Sequence, residues 1–307
     1  MKQPSPYILL VLATLLWGGN FVIGRAVAND VPPYTLSLLR WCTAFLVFYP
    51  FVRKNLKTDW PAIKQHFHIV IAMAITGVAG FNTLVYISLH YTTSINASLV
   101  NSSTPIIIFV LSFLFFRERL HRNQLIGALI SLSGVLFILS KGDWSNLLSF
   151  TFNLGDVLVV GAVVLWGVYS ILVKQYAGRL PGYSTFFVAI SLGLVVLLPF
   201  SFIELFLYKE VVNWKLTSMG AVAYIGIFAS IVAFTSWNTA VAAIGPNKAG
   251  VFLNFIPVFA SLFAIIFLEE TLTSYQMIGG LFVVFGVYLS TKAPKKVPSI
   301  NRKNAVS

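Results

Sequence analysis

Residues 115–134 read FFRERLHRNQLIGALISLSG, and residues 267–286 read FLEETLTSYQMIGGLFVVFG. At an offset of 152, Phe115, Glu118, Leu120, Gln124, Gly127 and Gly134 recur without a gap as Phe267, Glu270, Leu272, Gln276, Gly279 and Gly286. Ala97 and Pro105 carry the register upstream to Ala249 and Pro257. Apolar matches arise readily by chance; Pro, Glu, Gln and two Gly in one register do not. At an offset of 149, Ala13, Trp17 and Gly18 match Ala162, Trp166 and Gly167, Pro50 matches Pro199, and Arg25 stands opposite Lys174. The chain is a duplication. Its copies differ in charge. RERLHR at 117–122 is strongly basic, whereas EETLTS at 269–274 has no cation. Positive residues favour the cytoplasmic side of a membrane, so equivalent loops are expected on opposite sides and the repeats to be inverted.

The bulk numbers place the duplication in a bilayer. Of 307 residues 58% are apolar and 10% charged, with a mean hydropathy of +0.85. Soluble domains carry about 25% charge, and 27 Phe, 12 Tyr and 7 Trp exclude a disordered polymer. Apolar runs at 7–28, 34–52, 69–90, 94–116, 123–140, 156–177, 183–204, 217–240, 247–268 and 274–291 are each long enough to cross about 30 Å of hydrocarbon as a helix. They are too long, and alternate too little, for barrel strands. The expectation is an all-α integral membrane protein of ten transmembrane helices, five per repeat. Residues 1–140 form the first repeat, 141–155 an external connection, 156–291 the second repeat and 292–307 a basic cytoplasmic tail that anchors topology or touches anionic lipid. The opening run imitates a signal peptide ending at Ala26-Val27-Ala28. It is too long for that role, has Arg25 beside the supposed cleavage site, and has a counterpart deep in the chain, so it is read as a retained span.

The formal charge of +12 would point to nucleic acid in a soluble protein. Here it sorts by topology. With the N-terminus inside, fifteen Lys and Arg fall in cytoplasmic segments and three (Lys141, Lys209, Lys215) outside, leaving Arg25, Arg40 and Lys174 within spans. Both termini are expected in the cytoplasm and no nucleic-acid partner is implied. The single cysteine, Cys42, cannot form an internal disulfide.

The LLWGGN stretch at 15–20, the second LWG at 165–167 and the Pro, Glu, Gln and Gly pattern closing each half together resemble an EamA-type member of the drug/metabolite transporter superfamily. The resemblance runs to about Thr291. It implies a ten-helix transporter of the cell membrane with a central cavity, exporting amino acids or other metabolites, and it does not supply the substrate.

Polar groups in hydrocarbon are costly unless paired or hydrated, so those within spans are expected to face the interior. Trp17 and Asn20 share a face of the first span; Trp166, Ser170 and Lys174 share one in the sixth, beside Tyr169. Asn82 and Tyr86 lie four apart in the third, and Asn238 takes Tyr86's repeat position in the eighth. Ser98, Asn101 and Pro105 line the fourth; Asn254 and Pro257 line the ninth. These faces can surround one cavity holding the substrate. Each has a structural alternative: the tryptophans fill volume, and the asparagines bond neighbouring helices. Pro105 and Pro257 cannot donate to the carbonyls of Asn101 and Leu253, so they either free those oxygens for a ligand or kink the helix. Arg25, Arg40 and Lys174 either snorkel to the interface or hold an anionic group. Gly127, Ser131, Gly134, Gly279 and Gly286 read as packing seams, and Glu118 and Glu270 as caps at helix ends.

No Asp or Glu lies near the centre of a span, which disfavours proton exchange through a buried carboxylate and a strongly cationic solute. A neutral, zwitterionic or weakly anionic metabolite suits the aromatic and amide walls better. His66 and His68 have no acidic or thiol neighbour to complete a metal site, and the sequence contains no phosphate-binding Gly-x4-Gly-Lys-Ser/Thr pattern, so neither metal nor cofactor is expected. A non-transporting scaffold or receptor subunit and a membrane-embedded enzyme are the rival readings. Nothing in the sequence bears on oligomeric state.

Overall fold

In lipid a backbone must satisfy its own hydrogen bonds, and a helix does so within one segment. The computed structural model describes residues 4–27, 30–88, 91–92, 100–117, 121–143, 145–148, 153–268 and 273–292. They form helices throughout and no strand, apart from an isolated bridge between Ala177 and Leu180. The main elements are α1 (Pro6–Val27), α2 (Pro33–Gln65), α3 (Phe67–Ser88), α4 (Thr104–Phe116), α5 (Arg122–Leu139), α6 (Leu154–Gln175), α7 (Gly182–Leu207), α8 (Leu216–Ile244), α9 (246–268) and α10 (Ser274–Thr291). Among the described residues eight, all but α4 and α9, are continuous helices long and apolar enough to cross a membrane. Of the residues singled out above, the side chain of Arg25, and Ala97, Ser98, Glu118, Leu120, Glu270, Leu272 and the tail from 293, lie outside the described residues.

The repeated residues have local reasons to recur. Gln124 accepts from the backbone N–H of His121 (3.0 Å) at the start of α5, and Gln276 accepts from that of Thr273 (2.9 Å) at the start of α10. Each occupies the third helical position, the reciprocal half of a capping box. Pro105 falls in the first turn of α4. Pro257 follows a tight turn, Val251–Asn254, that interrupts α9 before its long segment, Phe255–Leu268. In the first turn a missing N–H costs little, because that donor has no intrahelical partner.

Packing follows a pseudo-two-fold pattern. α5 and α10 form the most extensive pair, α2 lies against α7, α1 against α8 and α9, and α6 against α3 and α4. On α5, Gly127 faces Gly286 and Gly134 faces Gly279; a Cβ on Gly127 would sit 2.5 Å from the Gly286 carbonyl oxygen, and one on Gly286 equally close to that of Gly127. Since Gly279 is the repeat of Gly127 and Gly286 that of Gly134, each glycine meets the copy of the other. That reciprocity makes the pair antiparallel and self-complementary.

α2 and α7 are antiparallel too, and each uses an acid at its far end to serve the other's first turn. Glu204 of α7 accepts from the backbone N–H of Tyr34 (3.0 Å) and Thr35 (2.7 Å) and from the Thr35 hydroxyl (2.7 Å). Asp59 of α2 accepts from the Ser184 hydroxyl near the start of α7. A carboxylate is favourable beside unpaired N–H groups and the positive end of a helix. α2 is longer than its apolar run: it continues past Pro50 through the polar and charged stretch from Arg53 to Gln65, because helix geometry persists after the residues stop being apolar enough for lipid.

Two helices widen at equivalent places. In α3, residues Ala74–Gly80 take π-type turns, and in α8 residues Ile225–Val232 do the same. The offset is again close to 152. Such bulges leave carbonyls without helical partners and recur at functional sites.

Candidate functional site

The centre of the bundle is built on the two repeat-related tryptophans. Trp17 of α1 and Trp166 of α6 meet edge to face, centroids 5.2 Å apart and planes at 85°. Phe234 and Trp237 of α8 pack on both, and Trp41 of α2 reaches Phe234 at 5.2 Å. The Trp17 Nε1–H donates to the carbonyl of Ala229 (3.0 Å), which lies in the widened stretch of α8. Trp166 Nε1 and Trp41 Nε1 are buried without an acceptor. The tryptophans therefore pack ring on ring, in keeping with the volume-filling alternative named for them above.

The remaining sequence-selected residues fall into groups around this centre. On α6 the Tyr169 hydroxyl donates to Asn238 Oδ1 (3.0 Å), and Ser170 accepts from Trp237 Nε1 (3.3 Å) while donating to the Trp166 carbonyl (2.9 Å). Lys174 donates to the carbonyl of Ala242 (2.8 Å), so it serves the last turn of α8. Asn20, one turn beyond Trp17, has its Oδ1 buried and unpartnered.

A second group gathers on α2, α3 and α8. Arg40 is fully buried; its Nε donates to Ser230 Oγ (2.9 Å) and its Nη1 to Asn82 Oδ1 (2.8 Å) and the Tyr86 hydroxyl (3.2 Å). The guanidinium also lies 5.1 Å from the Trp41 ring centre. Its head points inward, so it does not snorkel.

The third group lies between α4, α5 and α9. Asn101 and Pro257 line a cavity of about 160 Å³ with Ser102, Ser261, Leu253 and Ile138 among its walls. The Asn101 carbonyl, which Pro105 leaves free, accepts from the Thr104 hydroxyl, so local side-chain chemistry already occupies it. Asn254 donates to Ser131 Oγ (3.0 Å) and leaves its Oδ1 unpartnered.

Sequence reading missed Ser230, Trp41, Phe234 and Trp237. Hydropathy does not separate Ser230 from its apolar neighbours, and only its place in the widened stretch of α8 turns it toward Arg40. Among the described residues no group of three or more His, Cys, Asp or Glu is placed to hold a metal.

One end of the site is closed. Val27, Val31 and Leu36 from the α1–α2 region pack with Ala221, Val222 and Ile225 of α8, and Tyr86 and Tyr224 lie against them. Above this plug Lys215 pairs with Asp30 at 2.7 Å and the Asn213 N–H donates to the Asp30 carbonyl (2.8 Å).

Comparison with known proteins gives the architecture its family. The model of the EamA-like transporter family matches twice, over residues 4–140 and 153–292. An uncharacterized transporter of Archaeoglobus fulgidus is 28% identical over 93% of this chain and 96% of its own length. One of Bacillus subtilis is 24% identical over 99% and 98%. A probable amino-acid metabolite efflux pump of Escherichia coli is 22% identical over 92% and 93%. A crystal structure 21% identical in sequence superposes with a TM-score of 0.78, covering 94% of this chain and 97% of its own, and so shares the fold. Matched over nearly its whole length, the chain belongs to the EamA-like transporter family and is a multi-pass membrane transporter of small molecules, not an enzyme.

Proposed function

We propose that this transporter moves a small neutral or zwitterionic metabolite, an amino acid or a close relative, out of the cell across the plasma membrane by alternating access. In this reading ten spans form two inverted five-helix repeats, residues 1–140 and 156–291, joined by an external connection at 141–155, with both termini and the basic tail in the cytoplasm. The observation that carries the reading is the reciprocal packing. Gly127 on Gly286 mirrors Gly134 on Gly279, and α1 on α8 and α9 mirrors α6 on α3 and α4. Two near-equivalent halves can exchange conformations, and the exchange carries a central site from one face to the other.

The plug of Val27, Leu36 and Ile225 closes the end that carries the α1–α2 turn, which on the topology proposed faces outward. The solute class follows from charge. The described acids of the bundle, Asp59, Asp156 and Glu204, sit at helix ends and are engaged there, Asp156 by Thr92 and the backbone of Asn153. None is left to neutralise a cation in mid-bundle. Export of an amino-acid metabolite is what the name of the Escherichia coli relative says of that protein.

The test is transport itself. Overexpression is expected to raise tolerance to at least one toxic amino-acid analogue and to lower its cellular content. Trp17→Ala is expected to abolish both while the protein stays in the membrane. Equal content with and without the protein across a panel of neutral and zwitterionic solutes overturns the substrate class, and robust uptake of a dication by proteoliposomes does the same. Counterflow with and without a pH gradient at equal rates supports facilitated diffusion over proton coupling.

A further inference from the structure

The Arg40 cluster has more donors than acceptors. An arginine keeps its charge in a protein interior and offers five N–H donors and no acceptor. Burying such a charge is expensive unless an anion pairs with it. Its partners here, Ser230, Asn82 and Tyr86, are all neutral. The buried carboxylate of Glu204 is committed to the first turn of α2, and Asp30 to Lys215 and Ser218. Among the described residues no acid pairs with Arg40.

The shortfall extends to the neighbour. Asn82 is itself more than nine-tenths buried, and its Nδ2 has no acceptor. The amide cannot be turned to relieve this, because Arg40 presents only donors and so fixes Oδ1 toward itself. Next in sequence to Arg40, Trp41 Nε1 is a further buried donor without an acceptor. Unmet donors around an unpaired cation call for oxygen atoms carrying negative charge.

The fold does not need this cation. At the repeat offset of 149 its counterpart is Ala189, and at the offset of 152 that of Asn82 is Phe234, both buried and apolar. A scaffold requirement would recur in both halves, as the glycine seam and the capping glutamines do. The polar cluster was placed in one half only, at the inner edge of the apolar plug. Tyr86 belongs to both: it accepts the longest of the Arg40 bonds and packs against the plug.

We propose that Arg40 and Asn82 bind the carboxylate group of the transported solute. This deepens the transport reading and rests on it. The guanidinium supplies a planar fork for two carboxylate oxygens, Asn82 Nδ2 a further donor, and Tyr86 turns its hydroxyl from accepting to donating. The solute is then an amino acid or a related zwitterion with a free carboxyl group, and its amide is rejected because the cation stays unpaired.

The experiment is thermal unfolding of the purified full-length protein in detergent, titrated with sodium salts of short and branched monocarboxylates, the common amino acids, the matching primary amides, and sodium chloride and sulfate. At least one carboxylate is expected to raise the wild-type midpoint by about 2 °C or more, and its amide and the inorganic salts to leave it unchanged. Arg40→Gln is expected to lose the response. If that variant does not fold, Asn82→Asp decides: a resident carboxylate beside Arg40 is expected to raise the ligand-free midpoint and abolish the response to added carboxylates.

Equal shifts with acid and amide, a shift with chloride or sulfate alone (an inorganic anion site), no shift with any carboxylate, or a response that survives in Asn82→Asp each overturns the proposal. Counterflow in proteoliposomes separates it from the transport reading. A solute exchanged equally by wild type and Asn82→Asp refutes the carboxylate site and leaves transport standing. Carboxylate-specific stabilisation without exchange of any solute in the panel leaves the site and refutes transport.

Discussion

Gly127→Ala tests the seam on which the pseudo-two-fold arrangement rests. The added Cβ would lie 2.5 Å from the Gly286 carbonyl oxygen and 2.6 Å from the Ser290 backbone nitrogen, where ordinary contact begins near 3.4 Å. Both obstacles are backbone, so no rotamer change relieves them and α5 must move from α10 by about 0.9 Å locally, the difference between 2.5 and 3.4 Å. Overpacking of this kind costs about 1–3 kcal/mol, and a backbone-on-backbone clash belongs at the upper end. Alanine recovers roughly 1 kcal/mol through its better helix propensity. The net is about 2 kcal/mol, a fall in Tm of about 4–8 °C on the scale of domains of comparable size.

Thermal unfolding in detergent reads this directly. Gly220→Ala, with nothing within 4 Å of the new Cβ, is the control and is expected to hold or slightly raise Tm. The facing pair Gly127→Ala with Gly286→Ala is expected to fall short of additivity, because one separation relieves both clashes. Gly127→Ala with Gly279→Ala, at different crossings of the seam, is expected to be nearly additive. A Gly127→Ala melt indistinguishable from that of Gly220→Ala, or full additivity in the facing pair, refutes the reasoning.

Three further outcomes follow from the contacts described. Trp166→Phe removes a buried, unpartnered indole N–H while keeping an aromatic ring beside Trp17, so the unfolding free energy is expected to change by less than about 1 kcal/mol, whereas Trp166→Ala opens a hole costing about 3–5 kcal/mol. Glu204→Gln keeps one acceptor at the first turn of α2 but loses the charge, and is expected to cost about 1–2 kcal/mol in denaturation measurements. Lys215→Ala breaks a pair whose lysine is largely exposed; its effect on the unfolding free energy is expected to be within about 1 kcal/mol and to shrink with added salt.

Much of this architecture was legible in the sequence because lipid leaves few alternatives: an apolar run of about 20 residues is a helix. The Gly127 and Gly134 seam sits where the repeat pointed, whereas the capping by Gln124 and Gln276 shows only in the structure. The site was less legible, for physical reasons that differ by residue. Arg40 read equally well as a snorkelling or a buried cation, since depth along a helix does not fix the direction of the head; Asn82 and Ser230 settle it from 42 and 190 positions away. The service of Glu204 to the α2 first turn spans 169 residues to Thr35 and leaves no local pattern. The widened stretches of α3 and α8 are invisible to hydropathy, because a π-type turn adds a residue without changing composition. The tryptophans read equally well as a cavity wall or as filled volume; they pack ring on ring, which depends on four helices together.

The central claim is that the two halves run in opposite directions through the bilayer. Replacing Cys42, the single cysteine, by serine gives a background into which His121→Cys, just before α5, and Ser274→Cys, at the start of α10, are introduced one at a time. With a membrane-impermeant maleimide, the account predicts that Ser274→Cys is labelled in intact cells and His121→Cys only after the membrane is opened. Labelling of both from the same side contradicts it.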